Sequence, residues 1–148
     1  MSVISSVISR RAALAASFVL VGLTAAHGDE VKYSAKLDGA SETPPNASKG
    51  TGAVEAEFDT ATQKLTWTIT YSGLSGPATA AHFHGPAPAG KAAPPMVPLS
   101  GDLASPIKGS AKLTGADAKA LEEGLMYFNL HTAAHKAGEI RGQLMKSG

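Results

Sequence analysis

The sequence contains no cysteine. That excludes disulfides, thiolate metal ligands, iron–sulfur clusters and a cysteine nucleophile. Aromatic residues are scarce, at 5% of the chain with a single Trp, so a core must be built from Val, Leu, Ile and Ala in closely packed layers. No basic excess remains once Arg10 and Arg11 are set aside with the leader: 11 basic and 12 acidic residues are left, a net of −1. A chain balanced in this way carries no electrostatic footprint for nucleic acid and no polybasic tail for anionic lipid. No Ser-His-Asp arrangement or carboxylate pair stands out, so metal-free hydrolysis ranks last and no catalytic residue is assigned.

Arg10-Arg11 precede an apolar run, Ala12 to Ala26, that ends in small residues. A basic start, an apolar stretch and such an ending describe an export signal over residues 1–28, cleaved after Ala26 or Gly28. The run is short for a membrane span and acidic Asp29-Glu30 follow it, so no span is expected after cleavage. Ser9-Arg10-Arg11 also fits a twin-arginine signal. The expected location is periplasmic or secreted, with residues 29–148 forming a single domain. Cleavage after Ala26 would leave His27 at the terminus, where its amine and imidazole together chelate copper. Asn46-Ala47-Ser48 matches the glycosylation acceptor pattern, which has meaning only in a host that glycosylates.

Alternation dominates the rest. Val31, Tyr33, Ala35 and Leu37 share one face of a predicted strand; Val54, Ala56 and Phe58 share another; Leu65, Trp67, Ile69 and Tyr71 a third. Residues 41–52 read as a loop. Further strands are predicted over 78–84, 96–99 (irregular or at an edge, because of Pro98), 107–113, 125–131 and 139–144. One helix interrupts: Thr114 is a good N-cap and Ala116 to Glu123 are helix formers that end at Gly124. Short strands at this spacing predict an all-β, antiparallel β-sandwich with one short helix.

The stretch A-A-H-F-H-G-P-A, residues 80–87, raises the functional question. Phe83 is the core residue of its strand, so His82 and His84 point together to the other side. In the next strand Met126, Phe128 and Leu130 form the apolar set, which leaves Tyr127, Asn129 and His131 opposite. In the last strand Ile140 and Leu144 face in, and Glu139, Arg141 and Gln143 face out. Imidazoles at i and i+2 on a strand can converge on one ion, and imidazole suits copper and zinc. His82, His84 and His131 are therefore candidate metal ligands, with His135 in the following loop as a fourth. Asn129, Glu139 and Arg141 are candidates for holding those rings from behind. The competing reading is structural: the histidines hydrogen-bond and order the loop of residues 85–95.

These residues, with Leu113-Thr114 before the helix and the endings N-L-H-T (129–132) and G-E-I-R-G-Q-L (138–144), resemble the CHRD domain family, over about residues 31–145. The resemblance implies a β-sandwich of immunoglobulin-like appearance and, through chordin, a binding role in place of catalysis. The H-x-H strand is also similar, locally, to copper–zinc superoxide dismutases, another exported sandwich. Those enzymes carry a disulfide and further zinc-site residues, and this chain has no cysteine, so dismutase activity is not implied.

The reading that follows is an exported sandwich that binds a transition metal, copper first and zinc second, more a binding protein than an enzyme. One alternative is a non-catalytic module that docks a protein or an envelope polymer. A second is a redox metalloenzyme.

Overall fold

The computed structural model describes residues 28–148. Residues 1–27, which hold all of the expected export signal but Gly28, and with them His27, lie outside the described residues. The strands are β1 (Glu30–Asp38), β2 (Thr51–Asp59), β3 (Lys64–Ser72), β4 (Ala78–His84), β5 (Pro95–Pro98), β6 (Ile107–Lys112), β7 (Tyr127–Thr132), β8 (Ile140–Gln143) and β9 (Met145–Lys146), with helix α1 (Gly115–Glu122) between β6 and β7. Their order is β5-β4-β7-β8-β1-β2-β3-β6, and β9 also pairs with β1. All pairings are antiparallel.

The two halves of this path are joined at a narrow seam, the Asp38–Arg141 pair of β1 and β8. Beyond it the sheet curls and the halves face each other. Trp67 of β3 meets Phe83 of β4 with ring centroids 5.1 Å apart, and Phe83 meets Phe128 of β7 at 5.1 Å. This is the all-β sandwich the alternation predicts, made from one continuous sheet. The register explains why: Tyr33 pairs with Ala56 and Ala35 with Val54, so the apolar sets of neighbouring strands lie on one face. Each large side chain fully buried there contributes about 1.5–3 kcal/mol. Gly109 stands opposite Trp67, and a Cβ at that glycine would lie 2.8 Å from the indole Cζ2. The glycine thus makes room for the single large aromatic of β3.

The helix begins where its capping chemistry says it should. Thr114 Oγ1 accepts from the Asp117 backbone N–H at 3.1 Å, and Asp117 Oδ2 accepts from the Thr114 N–H at 3.4 Å. Gly124, at φ +72°, ends the turn that follows. Ala118 and Leu121 pack on the core.

What positions the functional residues is the outer face of β4, β7 and β8. His82 pairs with Asn129, which pairs with Arg141; His84 pairs with Tyr127, which pairs with Gln143. Period-two alternation puts all of these, with His131, on the face away from Phe83, Phe128 and Leu130. Three loops, residues 39–46, 85–95 and 132–138, close over that face, so Asn129 and Arg141 are buried although they point away from the core. Asn46 helps to fasten this cover. Its Nδ2 donates to the carbonyls of Gly138 and Glu139, and its Oδ1 accepts from Ser48 N–H. The amide of the acceptor pattern at Asn46 is thus engaged inside the fold.

Candidate metal centre

Three of the four predicted ligands come together. His82, His84 and His131 each offer a ring nitrogen, and these atoms all lie within 4.8 Å of one another. His82 Nδ1 and His131 Nε2 are 3.1 Å apart. Two imidazole nitrogens bound at roughly 2.0–2.1 Å to one ion sit roughly 3.1–3.4 Å apart at angles near 100–110°. The first pair is therefore already at a chelating separation. The rings stand edge to face rather than stacked, His82 at 88° to His84 and 72° to His131.

Backbone carbonyls select the tautomers. The Ala93 carbonyl accepts from His84 Nδ1 at 2.9 Å, and the Lys136 carbonyl accepts from His131 Nδ1 at 2.9 Å. In both rings the proton is thereby held on Nδ1 and the lone pair is left on Nε2. His84 Nε2 is buried and has no hydrogen-bond partner. Burial holds His82 below the ordinary imidazole value, and the neighbouring His131 and His84 act in the same direction. Burial likewise lowers His84, opposed by its bond to Ala93 and by the neighbouring Asn129 amide and reinforced by His131 and Arg141. Neutral rings are the ones that bind metal.

The supporting residues divide. Asn129 lies beside His84 and Glu42. Tyr127 stacks on His84, with centroids 4.9 Å and planes 6° apart. Arg141 sits over the same Tyr127 ring, with Cζ 3.5 Å from its centroid. Glu139 departs from expectation. Alternation predicts it facing out beside the histidines, but its carboxylate accepts from Ser48 Oγ, Ser75 Oγ, the Ser75 N–H and Thr132 Oγ1. It lies just before β8, where the strand period no longer applies, and turns to the end of the sandwich. Burial alone would raise it, but the bonds from Ser75, Thr132 and Ser48 outweigh this and hold it at about 2. His135 is not among the three clustered histidines. Its backbone closes the turn with Thr132 and Gly138 instead.

Glu42 is a neighbour that sequence patterning misses. It sits in a loop with no period, yet it is 4% exposed. Burial pushes its carboxyl up to about 7, against the opposing pull of Thr43 N–H, Arg141 and Asn129. The only hint in the sequence is an acidic residue between turn formers.

The family model of the CHRD domain matches residues 33–144. The chain belongs to the CHRD-domain family. That match spans every strand from within β1 to Leu144, so the histidine cluster of this CHRD domain lies wholly inside the family region. No curated protein and no solved structure matches the chain.

Proposed function

We propose that this CHRD-domain protein is exported and binds one transition-metal ion, copper first and zinc second, through His82, His84 and His131. The observation that carries the reading is the pair of carbonyl bonds from Ala93 and Lys136 to the Nδ1 atoms of His84 and His131. They leave the Nε2 atoms of His84 and His131 without a proton beside His82, whose Nδ1 lies within hydrogen-bond distance of His131 Nε2. Three imidazoles without a fourth protein ligand suit an open site that keeps a position for water or another small ligand. Copper suits such a site; a structural zinc site would be closed by a further ligand.

The test is metal content. Protein recovered from the exported compartment without an affinity tag is expected to carry about one copper or zinc ion per chain by mass spectrometry, and the H82A/H84A variant none. Absence of metal in both, with no uptake from added copper or zinc, would overturn the proposal.

The loop-ordering reading keeps a specific observation of its own. The Ala93 carbonyl that fixes His84 also accepts from Tyr127 Oη at 3.2 Å, so His84 does help to hold the loop of residues 85–95. On that reading the domain docks a protein or an envelope polymer, and partner binding survives loss of the histidines.

A further inference from the structure

Arg141 is 2% exposed, and a guanidinium cannot shed its charge at ordinary pH. Buried charges are normally paired. Here Nη1 donates to Thr43 Oγ1 at 3.0 Å and Nη2 to the Pro88 carbonyl at a long 3.4 Å. The remaining contact is the face of Tyr127. Among the described residues no carboxylate oxygen comes within 4.0 Å of its nitrogens. Five N–H donors in a planar fork are therefore only partly used.

Above this arginine lies a groove of about 440 Å³ between the loops of residues 39–46 and 85–95, with Arg141, Glu42 and Gln143 among its lining residues. Glu42 and Gln143 make that lining polar. The buried guanidinium, with the Glu42 carboxyl as its acidic neighbour, thus lines a polar groove walled by two loops.

We propose that this groove binds a small organic carboxylate, which pairs with the Arg141 fork. A carboxylate, like a phosphate, matches a planar guanidinium bidentately, and the acidic residue Glu42 in the lining favours the singly charged group. The stack of Tyr127 under Arg141 presets the plane of that fork. Glu42 would repel an anion if it were charged, but burial pushes its carboxyl up to about 7, so near neutrality much of it is protonated and can donate to the ligand. The inference does not depend on the metal reading, since none of its contacts involves an imidazole. The same carboxylate chemistry is presented by a free acid and by a peptide C-terminus.

The test uses the whole exported chain, treated with chelator, and follows the Arg141 side-chain N–H resonance by NMR. Acetate and N-acetylalanine are titrated, with N-acetylalanine amide as the uncharged control. Saturable movement in the millimolar range or tighter is expected with the two acids and none with the amide. Tighter binding of N-acetylalanine would assign the groove to a chain end, and tighter binding of acetate to a free acid. R141K keeps the charge but loses the fork; followed on the side-chain amide of Gln143 in the same groove, it is expected to weaken binding by about tenfold or more. Ala89 is an exposed residue of the groove wall. A89E places a tethered carboxylate there and is expected to remove the response without touching the core, so the test survives if R141K fails to fold. A resonance that no acid moves, equal binding of the amide, or undiminished acetate binding by A89E would overturn the proposal.

Discussion

Tyr127 lies flat against His84, with ring planes 6° apart, while its hydroxyl reaches the Ala93 backbone that also fixes the His84 tautomer. One residue thus holds a candidate ligand both by its face and through a shared carbonyl. Y127F keeps the stack and loses only the hydroxyl bonds, and is expected to cost about 1 kcal/mol of stability in urea unfolding. Y127L also loses the stack and the platform under Arg141. It is expected to weaken metal affinity by about 10–100-fold, the usual effect of losing a ligand's support. Equal affinities for Y127L and the wild type would show that the stack plays no part in holding the ring.

The geometry separates His131 from His135, the loop residue that the sequence offers as a fourth ligand. H131A is expected to abolish tight metal binding, because its Nε2 is 3.1 Å from His82 Nδ1. H135A is expected to leave metal affinity within about threefold of wild type, a change below 1 kcal/mol. Isothermal titration of both variants decides. Affinity in the wild type should hold near neutral pH and fall in acid, because burial holds the His82 and His84 rings below the ordinary imidazole value and protons compete with metal for them.

Glu139 stabilises the fold as an anion. Its native value is about 2 against an ordinary 4.5, so its contribution is present above 4.5 and is lost as pH falls from about 4.5 towards 2. That shift corresponds to on the order of 3 kcal/mol. E139Q is expected to lose about that much at pH 7 and to show little further loss from this group in acid. Urea unfolding at several pH values checks both; an E139Q protein as stable as wild type at pH 7 would refute it.

Glu42 has the opposite sign. Its native value is about 7, above the ordinary 4.5, so it favours the fold at low pH and opposes it as pH rises through 7. E42Q is expected to gain stability over wild type as pH increases from 5 to 8, up to about 3 kcal/mol. A gap between the two proteins that does not change with pH would contradict the assignment.

Much of this arrangement is legible in the sequence wherever a period exists. Phe83 identifies the inward face of β4, and the outward direction of His82 and His84 follows; Met126, Phe128 and Leu130 do the same for His131. Thr114 and Asp117 mark the helix start. Parity cannot say that β4 and β7 are neighbours, which is a matter of strand order. It also cannot say what covers a face. Arg141 points outward as alternation predicts, yet it is buried, because the loops carrying Thr43 and Pro88 close over it. Glu139 and Glu42 lie outside regular strands, so their burial depends on tertiary contacts with Ser48, Ser75 and Gly138 that no local pattern encodes.

The most direct test of the central claim is a competition titration of purified, metal-free protein with copper and with zinc against a chelator of known affinity. About one ion is expected to bind per chain of the wild type, more tightly than micromolar, with that binding lost in H82A/H84A. A wild type that takes up neither ion at micromolar concentration would contradict the claim and leave His84 as a fastener of the loop of residues 85–95.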